Sequence, residues 1–165
     1  MMVEVYFSLG SNLGDRRSNI LQAIRIMEEE FTILDSSPRP PVSVSEFIET
    51  EPWGFQAEQT FINCAVRFDL EASCRAILEC CQSIEHRLGR PEHEIHLDSE
   101  GSRIYESRLI DIDIILYGTH TISEPGLTVP HPLFRQRPFV LDPLREIISP
   151  EMSFLVNFEI TLPKK

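Results

Sequence analysis

Two aspartates one residue apart, Asp111 and Asp113, stand inside the run Ser107-Arg108-Leu109-Ile110-Asp111-Ile112-Asp113-Ile114-Ile115-Leu116-Tyr117-Gly118. The run alternates as an extended strand does, so Ile110, Ile112 and Ile114 take one face and both carboxylates take the other. At ~3.3 Å of rise per residue, their Cβ atoms stand roughly 7 Å apart. Like charges on one strand face repel and aspartate is poorly suited to strands, so the arrangement calls for compensation. A hard divalent cation supplies it, since Mg²⁺ takes one or two carboxylates, keeps waters and shares substrate phosphates. A solvated face of an antiparallel sheet would carry the same pattern, and the spacing alone does not separate the two.

Other residues carry weaker signals of the same kind. In Phe61–Leu70 the alternation puts Phe61, Asn63, Ala65 and Arg67 on one face and Ile62, Cys64, Val66 and Phe68 on the other. A side-chain amide beside a ring can read the edge of a flat heterocycle stacked on that ring, or it can be satisfied within the sheet edge. Pro130 and Pro132 fix the backbone around His131, which suits either a phosphate-oxygen donor or a plain turn; Arg137 downstream is a phosphate contact or a surface charge. The turn Gly10-Ser11-Asn12-Leu13-Gly14-Asp15 either offers backbone N–H groups to an anion or is a tight turn capped by Asp15 or Asn12. It lacks the Gly-Lys-Ser/Thr of a P-loop. His93-x-x-His96 has no third ligand placed beside it and reads as a solvated loop.

The elements that must position these groups follow from periodicity. Val3–Leu9 reads as a first strand, and Arg16–Phe31, with Ile20, Ala23, Ile24 and Met27 at helical spacing, as an amphipathic helix. After Pro38, Pro40 and Pro41 comes a second strand, Val42–Ile48, then a loop over Glu49–Gln56 and a third strand, Phe61–Leu70. Ala72–Leu88 forms the second long helix and stops at Gly89. A long polar stretch to Glu106 precedes the aspartate strand, and its length marks it as functional or mobile. Gly118–Gly126 predicts a turn with a short strand pair, Pro143–Ile148 a short helix, and Ser153–Leu162 an alternating tail strand. The order βαββαβ followed by additions predicts a ferredoxin-like α+β sandwich, helices packed on an antiparallel sheet.

At 165 residues the chain fits one domain, 1–165, able to bury a real core. A net charge of −11 argues against nucleic acid or an anionic membrane as partner, so any polyphosphate must be met by local charge. Of the 15 basic residues only Lys164 and Lys165 are lysines, and arginine's planar fork suits bidentate phosphate contacts. The N-terminus lacks the pattern of a signal peptide and no apolar run approaches the ~20 residues of a membrane span, so a cytosolic, cytoplasmic protein is expected. Cys64, Cys74, Cys80 and Cys81 lack metal-ligand spacing and are expected as buried, reduced thiols.

In chain order, the pieces Gly10-Ser11-Asn12-Leu13-Gly14-Asp15, Thr50-Glu51-Pro52-Trp53-Gly54, Phe61-Ile62-Asn63-Cys64-Ala65-Val66, Gly89-Arg90, Arg108-Leu109-Ile110-Asp111-Ile112-Asp113-Ile114, and Val129-Pro130-His131-Pro132 with Arg137-Pro138-Phe139-Val140-Leu141 form a specific combination. By them the chain resembles the 6-hydroxymethyl-7,8-dihydropterin pyrophosphokinase family of folate biosynthesis, over nearly its full length. The resemblance implies transfer of pyrophosphate from MgATP to the hydroxymethyl group of the pterin, with release of AMP. It also implies that Asp111 and Asp113 bind two Mg²⁺ ions, and that Phe61 and Phe139 sandwich the pterin. Asn63 and the Thr50 backbone would read the pterin's edge, with Glu51, Pro52, Trp53 and Asp111 beside it. Arg90, Arg108, His131 and Arg137 would lie near the phosphates, the two first-named arginines acting in catalysis with the aspartates. Gln82, Glu85 and Ile114 would lie on the nucleotide side. The segment between Arg90 and Arg108 is longer than in compact members of the family, which often carry a basic residue and a tryptophan there over ATP; here only Arg103 and Tyr105 are available for those places. The partners so implied are small molecules, ATP and the pterin, for a monomer or weak homodimer.

Two rivals keep parts of this pattern. A ferredoxin-like module that holds a nucleotide or pterin as a sensor would need no transfer chemistry, because fold alone does not fix function. A different Mg²⁺-dependent transferase would keep Asp111 and Asp113 and make the aromatic pair incidental.

Overall fold

The computed structural model describes residues 1–36, 42–51, 59–89 and 109–157. Strand β1 (Val3–Ser11) runs through the middle of the sheet, paired along both edges, and is buried from Val5 to Ser11. Helix α1 (Arg16–Asp35) starts where the Asp15 carboxylate accepts the Ser18 N–H at 3.1 Å, the helix-capping role open to Asp15. Its buried residues Ile20, Ala23, Ile24, Met27 and Phe31 form one stripe. Strands β2 (Val42–Val44) and β3 (Ile48–Thr50) both pair antiparallel with β4 (Phe61–Leu70). Helix α2 (Cys74–Arg87) is capped by Ser73, and β5 (Asp111–Tyr117) carries the two aspartates. A hairpin follows, β6 (Ile122–Glu124) and β7 (Leu127–Val129), then a 3₁₀ turn at Phe134–Gln136, α3 (Pro138–Ile147) and a second 3₁₀ segment, Pro150–Leu155.

The main sheet has the order β2-β4-β1-β5, with β3 sharing the place of β2 beside β4. This is the expected βαββαβ ferredoxin-like arrangement, the second strand being split in two. One face packs on α1 and α2 through Val5, Phe7, Leu9, Ile62, Cys64, Val66, Phe68, Ile112 and Ile114. Phe7, Phe31 and Phe68 sit there with ring centroids 5.0–6.0 Å apart, two of the three pairs edge to face, each worth about 0.5–1.5 kcal/mol beyond its buried area. The opposite face is only half covered: Tyr6, Ala65, Ile115 and Leu116 pack under Phe134, Val140, Leu141, Leu144, Met152 and Val156. Cys64, Cys74 and Cys81 are buried and all four cysteines are free, as their spacing predicts. Burial pushes the Cys64 thiol up to about 12.

Several boundaries differ from the sequence expectation, each for a local reason. The strand expected over Val42–Ile48 breaks at Ser45, where the Ser45 hydroxyl accepts the Ala65 N–H at 2.8 Å while the Ser45 N–H donates to the Ala65 carbonyl at 2.9 Å. A side-chain oxygen has replaced a main-chain one in the ladder, and the chain resumes pairing at Ile48 and continues to Thr50. Helix α1 runs on past Phe31 to Asp35, whose carboxylate accepts the N–H groups of Glu71 and Ala72 at 2.8 and 3.0 Å. Helix α3 starts at Pro138 rather than Pro143, because a proline at the first helical position loses no hydrogen bond. Over its described part, the tail strand expected at Ser153–Leu162 is 3₁₀ helix and turn. Met152 and Val156 are buried four residues apart while Phe154 between them is exposed, a helical rather than an alternating pattern. The rest of that stretch, 158–165, lies outside the described residues.

Candidate active site

Register places the chemistry. Gly10 on β1 is the Cα partner of Asn63 on one side and of Asp111 on the other, so these three residues stand in a row across the half of the sheet that α3 leaves open. One step down the strands the row is Ala65, Ser8 and Asp113. At roughly 4.8 Å per strand spacing, Asn63 and Asp111 are about 10 Å apart, with a glycine as the floor between them. A Cβ on Gly10 would lie 2.7 Å from Asn63 Oδ1 and 3.6 Å from Phe61 Cδ1. Glycine is therefore what lets the amide lie over the central strand. This corrects the reading of Gly10 as the first residue of a turn: it belongs to β1, which extends to Ser11.

The amide itself is held. Asn63 is buried, and its Nδ2 donates to Thr50 Oγ1 at 2.7 Å, with Oδ1 lying over Gly10. Thr50 is the Cα partner of Phe61, so the half-buried Phe61 ring shares the same corner. The expected contribution of Thr50 was through its backbone, and its hydroxyl is engaged as well. Glu51, the next residue, is exposed.

On the other side, Asp111 and Asp113 are half-buried and face as the alternation predicts. The His131 N–H donates to the Ile115 carbonyl at 2.9 Å, fixing that residue to β5. His131 Nδ1 accepts the Leu133 N–H at 3.3 Å, which leaves the proton of the neutral ring on Nε2. Burial depresses the His131 pKa below its ordinary value; Arg137 pushes the same way, and Asp111 opposes them. These couplings bring His131, Arg137 and Asp111 into one electrostatic neighbourhood. Arg137 is buried, and its Cζ lies 5.8 Å from the Phe139 ring centroid at the start of α3. Phe139 packs at the border of the α3-side core.

The residues expected on the nucleotide side lie elsewhere. Glu85 on α2 is buried, and its Oε2 accepts the N–H of Ile112, the residue between the two aspartates, at 3.4 Å from the open edge of β5. Gln82, one turn earlier, is exposed. The Ile114 side chain is buried in the core under α1 and α2, so only its backbone is available for a ligand. Ile112 and Ile114 share the outward-turned backbone phase of an edge strand. Arg90, Arg108, Pro52 and Trp53, together with Arg103 and Tyr105, lie outside the described residues.

Among the described residues no group of three or more His, Cys, Asp and Glu side chains is placed to hold a metal ion. Two neighbouring carboxylates are a poor cage for Zn²⁺ or Ca²⁺ but suit Mg²⁺, which binds through one or two carboxylates and completes its shell with water and phosphate oxygens. The donor set fits that ion.

What sequence reasoning missed is the floor, Gly10 and Ser8, and the hydroxyl of Thr50. A glycine within an otherwise strand-like run was the available signal for the first, since such a residue often marks a close approach. Nothing in the sequence marked the others.

The chain matches the model of the family described as 7,8-dihydro-6-hydroxymethylpterin-pyrophosphokinase over residues 6–149. It is similar to the 2-amino-4-hydroxy-6-hydroxymethyldihydropteridine pyrophosphokinase of Porphyromonas gingivalis, with 39% identity over 147 residues, 88% of this chain and 91% of that protein. The protein of the same description in Bacillus subtilis is 34% identical over 142 residues, 86% of this chain and 76% of the relative. The folate synthesis bifunctional protein of Arabidopsis thaliana is 32% identical over 151 residues, which are 90% of this chain but 28% of that protein.

Proposed function

Since the chain belongs to the 7,8-dihydro-6-hydroxymethylpterin-pyrophosphokinase family, we propose that the row Asn63-Gly10-Asp111 is where its pterin lies, read at one end and pyrophosphorylated at the other. The protein is an ATP-dependent pyrophosphokinase of folate biosynthesis: it moves pyrophosphate from ATP to the hydroxymethyl group of 6-hydroxymethyl-7,8-dihydropterin and releases AMP. In that reaction the hydroxymethyl oxygen forms a bond to the β-phosphorus and gives up its proton, while the bond to the oxygen that leaves with AMP breaks. The single observation that carries the assignment is the width of the row. About 10 Å separates an amide that can read a heterocycle's edge from a carboxylate, enough for a flat bicycle with a one-carbon arm.

Each side chain then has a part. Asn63 Oδ1, turned by its bond to Thr50, accepts from the pterin's donor edge, and Phe61 and Phe139 stack on its two faces. Glu51, Pro52 and Trp53 belong to the same end. Asp111 and Asp113 hold magnesium, two ions in this proposal. When bound there, magnesium offsets the triphosphate's charge and lowers the pKa of the attacking hydroxyl, so no separate base is required. His131 donates from Nε2 to a phosphate oxygen, and Arg137 adds its fixed positive charge. Arg90 and Arg108 complete the phosphate contacts by their place in the motifs. The adenine meets the β5 edge through the backbone of Ile114, with Gln82 and Glu85 on the α2 side. Catalysis of this kind is mainly positioning and electrostatic, which suits a site whose groups are fixed on strands.

The whole of residues 1–165 acts as one such domain, as a cytoplasmic monomer or weak homodimer, with no nucleic-acid or membrane partner. The net charge of −11 supports the exclusion of a nucleic-acid partner. The test is AMP release from ATP with and without the pterin and Mg²⁺, in the wild type and in Asp111→Ala and Asp113→Ala. Several kcal/mol of charge stabilisation correspond to a loss of about a thousandfold or more in each variant, with melting temperature nearly unchanged. Wild-type rates in both variants would refute the metal assignment.

A further inference from the structure

Arg16, the first residue of α1, reaches the mouth of the β3–β4 hairpin from the helix-covered side of the sheet. Its Nη1 donates to the Thr60 carbonyl at 2.9 Å and to Thr60 Oγ1 at 2.8 Å, and it lies 3.4 Å from Glu49 Oε1. Thr60 Oγ1 in turn donates to Glu49 Oε1. The guanidinium thus joins the last residue before β4 to the middle of β3. Next to it, the Arg17 Cζ lies 5.4 Å from the Phe47 ring centroid, a second contact from α1 to the approach of β3.

The pairing decides what this network acts on. Glu49 is the Cα partner of Ile62, whose side chain points into the core under the helices; Thr50 is the partner of Phe61, on the opposite, open face. Arg16 therefore works behind the sheet while Thr50, Phe61 and Asn63 stand in front of it. Strand β3 has three paired residues, Ile48, Glu49 and Thr50, and pairs with β4 at the edge of the sheet. Three residues of edge pairing fray readily. The Arg16 side chain is 22% exposed against 61% for Glu49, so the weight of the clamp falls on its two bonds to Thr60 rather than on the exposed ion pair. The Thr60 bond and then Arg16 hold the Glu49 carboxyl below its ordinary pKa, as a carboxylate engaged by both should be.

We infer that Arg16 is a positioning residue for the pterin end of the site: by tying Glu49 to Thr60 behind the sheet it fixes Thr50 against Phe61 in front, and through Thr50 Oγ1 it fixes the Asn63 amide. The inference rests on the assignment of Thr50, Phe61 and Asn63 to the pterin. It separates Arg16 from Arg137, which lies beside Phe139 on the α3 side of the sheet.

The experiment measures two dissociation constants by calorimetry, one for 6-hydroxymethyl-7,8-dihydropterin at a saturating non-hydrolysable ATP analogue and one for the analogue alone. The variants are Arg16→Ala, Arg16→Lys, Thr60→Val and Asn63→Ala, each checked by thermal melting. The expected result is a pterin Kd raised about tenfold in Arg16→Ala and about threefold in Thr60→Val, with the analogue's Kd within about twofold of wild type in both. Arg16→Lys should fall between, since one ammonium spans fewer of the acceptors than the guanidinium fork. Thr60→Val keeps the fold while removing the shared hydroxyl, so it decides the matter if Arg16→Ala does not fold. A pterin Kd within about twofold of wild type in the folded variants, or an equal weakening of both ligands, overturns the positioning role. If Asn63→Ala also leaves the pterin Kd unchanged, the assignment of the pterin end falls first and the inference falls with it.

Discussion

Replacing Gly10 by alanine should damage pterin binding through a contact that no ligand makes. The added Cβ would stand 2.7 Å from Asn63 Oδ1, and ordinary contact begins at 3.4 Å, so the oxygen must withdraw by about 0.7 Å. Asn63 is buried and short, and a shift of that size strains or breaks its 2.7 Å bond to Thr50 Oγ1. Overpacking of this kind costs about 1–3 kcal/mol. Gly10 is not among the residues with positive φ, so alanine fits the backbone and returns about 0.4–1 kcal/mol by restricting the unfolded chain. The net loss is up to about 2.6 kcal/mol, or a melting temperature lower by up to roughly 10 °C for a domain of this size. A misplaced reading group also lowers turnover, by up to about a hundredfold for a displacement near 1 Å. The decisive measurement is a double-mutant cycle with Asn63→Ala followed by thermal melts, and pterin titration of the single variant. With the amide gone the clash is gone, so Gly10→Ala in that background should be neutral or slightly stabilising. If Gly10→Ala costs the same stability with and without Asn63, or leaves the pterin affinity unchanged, the amide does not lie where the strand register puts it.

Two further outcomes follow from the half of the sheet that α3 covers and from its border. Tyr6 is fully buried, with its hydroxyl donating to Glu4 Oε2 at 2.9 Å and accepting the Ser149 N–H at 3.0 Å. Tyr6→Phe should cost about 1–3 kcal/mol by orphaning that N–H, read as a lowered melting temperature with KM for both substrates unchanged; an unchanged melting temperature would refute it. The folded-state pKa of His131 is depressed, first by burial and then by Arg137, so near pH 6.5 the unfolded chain binds a proton that the fold resists. Its effect on stability is therefore absent above about pH 6.5 and grows as the pH falls below it. Measured without magnesium, His131→Asn should flatten the decline of melting temperature between about pH 7 and 5. An identical slope in both proteins would remove His131 as its source.

Much of the sheet could be read from alternation because both faces of its strands are under different demands. Val5, Phe7 and Leu9 against Tyr6, Ser8 and Gly10, and Ile112 and Ile114 against Asp111 and Asp113, repeat with period two, and the faces fall as that period says. Phe61–Leu70 was legible to the residue. The break at Ser45 was not, because it depends on a serine hydroxyl meeting the Ala65 N–H on a strand 20 residues away in sequence. The tail misled for a related reason: Ser153–Asn157 alternates on paper, but Met152 and Val156 are drawn into the α3-side core at helical spacing. In the site, side chains with chemical character announced themselves, while Ser8 and Arg16 did not. Their roles are set by what lies across the sheet, which no local pattern encodes.

The boundary between the open and the covered halves of that face is drawn by one irregularity in β5. The register shifts between Tyr6 and Phe7: Phe7 is the partner of Ile114, Tyr6 is the partner of Leu116, and Ile115 is the extra residue. Under strict alternation Asp111, Asp113, Ile115 and Tyr117 would all face α3, and Leu116 would turn back toward α1 and α2. The bulge instead commits both Ile115 and Leu116 to the seal beneath α3 and sends Tyr117 to the other side, where its hydroxyl donates to the Ala72 carbonyl at 2.9 Å. Two consecutive apolar side chains thus close the core immediately below Asp113, and the Ile115 carbonyl holds His131 from the same point. A strand without the extra residue would place a phenol under α3 and lose one wall of that seal.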